Sequence, residues 1–231
     1  MRKTAIITGA SRGIDNAVAR YFAIKDYNLV LIARNKQALY KVKKELKNIN
    51  SEINISYYAL DLADFNQSYQ QLVKMVDELE RIDVLVNNAG IGYTGTLDLD
   101  LADFSLMVDV NVKGLFAVAK AVGLKMKQQQ HGYIINVASV SGKSASPYLG
   151  GYAATKFAVV GFNQALAKEL RPFGVKVTAL CPGVVATEMT KGFDFPEENK
   201  LTVDELVSSV DYLLKLGPNA VIETLDVAAA S

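Results

Sequence analysis

The chain has one cysteine, Cys181, and one histidine, His131. A lone cysteine excludes an internal disulfide framework, and with a lone histidine it excludes the cysteine and histidine sets that hold zinc, so no metal is expected. Cys181, in VKVTALCPG, reads as a small buried hydrophobe, and His131, in QQQHGY, as a turn residue. An excess of one charge is also missing: 25 Lys and Arg stand against 24 Asp and Glu, for a net charge of +1. Without a basic stripe, nucleic acid is not expected as a partner. No apolar run approaches the roughly 20 residues that cross a membrane, and the apolar part of the opening MRKTAIITGA is too short for a secretory signal. No membrane association is expected, and the expected compartment is the cytoplasm. Linkers, repeats and low-complexity segments are missing too, which leaves one domain spanning residues 1–231 as the expectation.

What is present is apolar bulk. Half of the 231 residues are hydrophobic, enough to bury one large core. Short apolar runs alternate with amphipathic stretches about seven times. Thr4–Thr8 predicts a strand, then ASRGIDNAVARYFAIK a helix. Tyr27–Ala33 predicts a strand and Lys36–Lys47 a lysine-rich surface helix. INISYYAL, IDVLVNN, GYIINVAS, GVKVTALCPG and NAVIETLDV supply the remaining strands. Helices fall between them at FNQSYQQLVKMVDELER, Leu101–Gln129, Gly151–Pro172 and Val203–Leu216. Such alternation implies an α/β fold with a parallel sheet and right-handed crossovers.

The turn after the first strand carries Thr8, Gly9 and Gly13, separated by small or polar residues and followed at once by a helix. Glycines let backbone amides approach an anion, and a helix N-terminus favours phosphate. Asp15 stands where a third glycine would complete the pattern. Pointing to solvent, its carboxylate would matter little; facing the crevice, it would repel a pyrophosphate. Arg34, at the end of the second strand, and Arg12, in the glycine turn, suit the 2′-phosphate of NADP if the fold binds a dinucleotide. Asp61 and Leu62 open a loop placed to meet an adenine ring, and Asn87–Gly90 brings amides and small side chains to the end of the fourth strand.

Three further features bear on chemistry. The helix predicted at Leu101–Gln129 carries Asp109, Asn111 and Gly114 at its centre, so Asn111 is either a structural kink or a group facing the crevice. Ser139 ends an apolar strand where α/β sheets hold ligands, a position suited to a substrate oxygen. Tyr152 and Lys156 are spaced to share one helix face, and an ammonium beside a phenol stabilises the ionised form, making Tyr152 a candidate acid-base group. A YxxxK spacing alone more often marks a solvated face.

Together these residues resemble the short-chain dehydrogenase/reductase family across essentially the whole chain. The resemblance rests on TGASRGI at Thr8–Ile14, Asp61, NNAG at Asn87–Gly90, Asn111, Ser139, Tyr152, Lys156 and PGVVAT at Pro182–Thr187. It implies a three-layer, doubly wound, Rossmann-like fold with a seven-stranded parallel sheet, and hydride transfer between NADP(H) and a small carbonyl or alcohol substrate. By that resemblance Tyr152 gives or takes the proton and Ser139 binds the substrate oxygen. Lys156 holds the nicotinamide ribose and helps ionise Tyr152, while Asn111 anchors a water in a proton relay. The cofactor-binding set it implies is Gly9, Ser11, Arg12, Gly13, Ile14, Arg34, Asp61, Leu62, Asn88, Ala89, Gly90, Tyr152, Lys156, Pro182, Gly183, Val185 and Thr187. The turn-rich stretch 184–201 is expected to form a substrate lid. The 151–172 helix is apolar over most of its circumference, which predicts a second subunit on one face and hence a homodimer or homotetramer. Asp15 is the departure, and it keeps open an alternative: a dinucleotide-binding or scaffold protein with little or no turnover.

Overall fold

The structure, a computed structural model, describes residues 1–191 and 195–229. The apolar runs form strands β1 (Thr4–Thr8), β2 (Asn28–Ala33), β3 (Ile55–Ala59), β4 (Val84–Asn87), β5 (Gly132–Val137), β6 (Val175–Pro182) and β7 (Thr224–Val227). Between them lie helices α1 (Gly13–Ile24), α2 (Lys36–Ile49), α3 (Phe65–Asp77), α4 (Leu101–Val108), α5 (Leu115–Gln129), α6 (Gly150–Leu170) and α7 (Val203–Lys215). All strand pairings are parallel, in the order β3-β2-β1-β4-β5-β6-β7. This is the seven-stranded, doubly wound sheet expected from the sequence.

Strand side chains alternate between the two faces, and each face has its own core. Ala5, Ile7, Leu29 and Leu31 pack with α1, α2 and α7, through residues such as Phe22, Leu39 and Val210. Ile6, Val30, Ile32 and Leu85 pack on the other side with α3, α5 and α6, through Leu72, Val118 and Leu170. The starts of α2, α3 and α7 are fixed by side-chain caps. Asn35 accepts from the Ala38 amide at 3.0 Å before α2, and Asp64 from the Gln67 amide at 3.2 Å before α3. Thr202 and Glu205 exchange hydrogen bonds in a capping box before α7.

Two elements differ from expectation. The Leu101–Gln129 helix widens at Asp109–Gly114 into a π-helical turn that contains Asn111, a local departure of the kind that recurs at functional sites. The last strand covers only Thr224–Val227 of NAVIETLDV, the residues that lie in register with Ala179–Pro182 of β6. No helix among the described residues is long and apolar enough to cross a membrane.

The strand order reverses between β1 and β4, so a crevice opens beyond their carboxyl ends. A buried chain of polar side chains braces that rim. Thr8 donates to Asn87 at 3.3 Å and Asn87 donates to Asn136 at 3.3 Å. Asn136 donates to Asn163 at 3.0 Å, and Asn163 donates to the Glu223 carbonyl at 3.1 Å.

Candidate active site

The glycine turn is held open by Thr8, whose Oγ1 accepts from the amides of Asn88 and Ala89, each at 3.0 Å. Gly9 and Gly13 have φ of 77° and 61°, values a residue with a side chain rarely adopts. At Gly9 an added Cβ would stand 2.5 Å from Asp15 Oδ2 and 3.3 Å from the Ala89 backbone; at Gly13 it would meet only Thr187, at 3.7 Å. The outer face of the turn therefore opens onto a cleft of about 490 Å³.

That cleft collects almost every residue singled out from the sequence. Gly9, Ser11, Arg12, Gly13 and Ile14 line it from the first turn, Arg34 from the end of β2, and Asp61 and Leu62 from the end of β3. Asn88, Ala89 and Gly90 follow β4, Ser139 follows β5, and Pro182, Gly183, Val185 and Thr187 come from the end of β6 and beyond. Tyr152 and Lys156 complete it from α6. Thr8, Asn87 and Asn111 sit behind the wall, buried, and Asn111 Oδ1 accepts from the Ile91 amide at 2.8 Å. Its Nδ2 donates to the Ile91 carbonyl at 2.8 Å and to Thr155 at 3.1 Å. The exposed guanidinium groups of Arg12 and Arg34 have no hydrogen-bond or ion-pair partner among the described residues.

At the other end, Ser139 Oγ accepts from the Ser141 amide at 3.1 Å and donates to the Pro182 carbonyl at 3.4 Å, close enough to the Tyr152 phenol for Ser139 to favour its ionised form. Burial pushes the Tyr152 phenol up to about 12, against a smaller lowering by Ser139. The lowering by Lys156 expected from the i, i+4 spacing is not among the influences on this phenol, which burial governs. The Lys156 ammonium lies 5.6 Å from the Tyr152 ring centroid and donates to the Val137 carbonyl at 3.0 Å. Burial lowers its pKa to about 8, opposed by the charges of Cys181 and Asp15.

Asp15 faces the crevice. It is 5 % exposed, its Oδ2 accepts from Asn88 Nδ2 at 2.7 Å, and its Oδ1 has no hydrogen-bond partner among the described residues. Burial raises its pKa from 3.8 to about 7, only partly offset by the Asn88 hydrogen bond and the Lys156 charge. The turn has the shape of a phosphate cradle, and the residues present fit a dinucleotide in size and donors. Asp15 is the buried carboxyl beside that cradle whose negative charge would oppose a pyrophosphate.

Sequence reasoning missed Glu188, Met189 and Thr190 as cleft-lining residues, along with Ile91 and Val110. They belong to no motif; only their place in the stretch 184–201 or beside NNAG hinted at them. That stretch lies partly outside the described residues, at positions 192–194, which include Phe193. Its base is closed by pairing of Val185 with Leu201. The buried Lys200 ammonium reaches the Thr190 carbonyl at 3.1 Å and Glu197 at 2.5 Å. Outside the cleft, Cys181 is buried in β6, and His131 follows a left-handed Gln130 and meets Asp83 at 3.1 Å, both as expected.

A parallel sheet with its cleft at the switch point, lined by a glycine turn and a serine, tyrosine and lysine, defines a nucleotide-binding class of α/β protein. Residues 3–197 match the short chain dehydrogenase family, to which this chain belongs. An oxidoreductase of Staphylococcus epidermidis RP62A is 35% identical over 217 residues, covering 92% of this chain and 90% of that protein. A 3-oxoacyl-[acyl-carrier-protein] reductase of Synechocystis is 38% identical over 194 residues, covering 83% and 78%. Among solved structures, an alcohol dehydrogenase from the archaeon Thermococcus sibiricus, complexed with 5-hydroxy-NADP, superposes with a TM-score of 0.90 at 32% identity, covering 100% of this chain and 97% of that one.

Proposed function

We propose that the protein is an NADP(H)-dependent oxidoreductase acting on a carbonyl or alcohol, with Tyr152 as the proton donor and acceptor. The observation that carries this reading is the polarity of the cleft. Two guanidinium groups without partners among the described residues stand at one end, and a serine and a tyrosine beside a buried lysine stand at the other. The 5-hydroxy-NADP bound to the Thermococcus sibiricus alcohol dehydrogenase supports the choice of nucleotide.

Arg34 and Arg12 would hold the 2′-phosphate, the amides of the Ser11–Ile14 turn the pyrophosphate, and Val185 and Thr187 the carboxamide. The bound nicotinamide supplies or accepts the hydride. Everything else falls to this chain's residues. Ser139 positions the substrate oxygen. Tyr152, whose phenol stays protonated far above neutral pH, is a ready donor to a carbonyl oxygen being reduced; the reverse direction requires base. Lys156 orients the ribose, and Asn111 anchors a water that links Lys156 to solvent. The stretch 184–201 serves as the lid. In it, Met189 comes close enough to Tyr152 that a Cβ on Gly92 would touch both, at 3.8 and 3.4 Å. That gives the substrate an apolar wall.

The substrate is a 3-oxoacyl compound or a small ketone, in keeping with the Synechocystis reductase. The assembly is a homodimer or homotetramer formed through α5 and α6, where Phe116, Phe157 and Leu124 are exposed beside the small residues Ala154, Ala158 and Gly161. The test is a panel of ketones with NADPH and with NADH, followed by loss of nicotinamide absorbance. Turnover of at least one ketone, faster with NADPH, is the expected result. Failure of both nicotinamides to bind would instead support a scaffold that keeps the fold without turnover, the reading Asp15 favours.

A further inference from the structure

Asp15 is the feature that the catalytic reading does not absorb. Its Oδ1 is a buried side-chain oxygen without a hydrogen-bond partner among the described residues, and the residue lines the cleft beside the phosphate cradle. A buried polar atom with nothing to bond costs on the order of 1–3 kcal/mol, so a position that keeps one needs a reason. Its other oxygen is already fixed by Asn88, so the side chain cannot rotate away without breaking a 2.7 Å hydrogen bond. Gly9 closes off another direction, because the carboxylate lies against its α-carbon.

The charges around it come from several elements. Lys156 and Tyr152 lie on α6, with Lys156 acting through its charge. Arg12 belongs to the glycine turn, Arg34 follows β2, Asp61 follows β3 and Glu188 comes from the segment after β6, all lining the same cleft. Asn88, its direct partner after β4, is uncharged. No cation forms an ion pair with Asp15 among the described residues, so the carboxylate relies on Lys156 at a distance.

Resting on the cofactor assignment above, we propose that Asp15 binds the dinucleotide as the neutral acid. Its Oδ1 then carries the proton and donates a hydrogen bond to an oxygen of the bound dinucleotide, so that binding takes up one proton whenever the free protein holds Asp15 ionised. A carboxylate would repel the pyrophosphate; a carboxylic acid gives the cleft a donor where a third glycine would offer no side chain. The energetic ground is already present, since burial holds this group half-protonated near neutrality. Affinity is therefore level below about pH 7 and falls as pH rises above it, by about tenfold for each unit in the limit of one linked proton.

The test measures the Kd of NADPH by nicotinamide fluorescence between pH 6 and pH 8 for the wild type, Asp15→Asn and Asp15→Gly. The phosphate of NADPH titrates equally in all three, and Lys156, which Asp15 helps keep charged, loses its proton more readily in the variants, an effect that works against the expected difference and so cannot produce it. The expected result is a wild-type Kd that weakens about tenfold more than either variant over that range. Calorimetry in two buffers of different ionisation enthalpy at pH 8 should show close to one proton taken up by the wild type and fewer by Asp15→Asn. Parallel Kd profiles for wild type and Asp15→Asn overturn the proposal and leave the cofactor assignment standing. Weaker binding by Asp15→Asn than by wild type at pH 8 also overturns it. No binding by any of the three at any pH removes the cofactor assignment, and this proposal with it.

Discussion

Asp15 and Lys156 lie in one buried cleft, each favouring the charged form of the other, and for both of them burial outweighs that attraction. The carboxyl is raised to about 7 and the ammonium lowered to about 8. Two groups that would ordinarily be fully ionised at neutral pH thus titrate close to it.

The first consequence is a pH-dependent stability. A carboxyl whose folded pKa is raised from 3.8 to about 7 contributes stability that is complete below about pH 4 and lost as pH climbs through 7. The loss is on the order of 4 kcal/mol, about 3 pKa units at 1.36 kcal/mol each. Asp15→Asn removes the titration. Urea unfolding at pH 4 and pH 8 should show the variant gaining on the wild type by up to that amount, and curves that stay parallel would contradict it.

Arg34 carries the choice of nucleotide. A charge-assisted contact to phosphate is worth about 1.5–3 kcal/mol. Arg34→Ala should therefore weaken NADPH binding about 10–100-fold and leave NADH binding within about twofold. Equal loss for both nucleotides would place Arg34 elsewhere.

Asn136 sits at the centre of the polar chain that braces the crevice rim, facing Asn87 in register. Asn136→Leu leaves Asn163 Oδ1 without its donor and strips one acceptor from Asn87. Denaturant unfolding should report a loss of about 2–3 kcal/mol. A neutral outcome would mean that the chain positions nothing.

The α5 and α6 face should join copies of the chain. Phe157 is 46% exposed, so Phe157→Glu should change the fold's stability by no more than about 0.5 kcal/mol while shifting the light-scattering mass to the monomer. An unchanged oligomer would move the interface elsewhere, and a monomeric wild type would remove it.

Much of this architecture is legible in the chain because buried parallel strands read as near-continuous apolar runs. TAIIT and YIINV announce themselves, and the turn glycines punctuate them. The edge strand was over-read, since NAVIETLDV has the right residues but only Thr224–Val227 has a partner. The centre of the 101–129 helix was visible as a polar anomaly, though not as a π turn, because hydrogen-bond register leaves no mark in composition. The site residues could be read as an ordered set of small motifs. What could not be read was direction: whether Asp15 turns inward depends on a rotamer and on Asn88, 73 positions away. The effect of Lys156 on Tyr152 was judged from proximity alone, whereas the phenol's pKa is governed by its burial.

The central claim is that Tyr152 supplies the proton for carbonyl reduction beside a bound nicotinamide. Tyr152→Phe keeps the ring and removes only the hydroxyl, so comparing NADPH oxidation by the variant and the wild type, on the best ketone of the panel, tests it most directly. The account predicts a fall in kcat of about 10²–10⁴-fold with the Kd of NADPH nearly unchanged. A variant that turns over at the wild-type rate would contradict it.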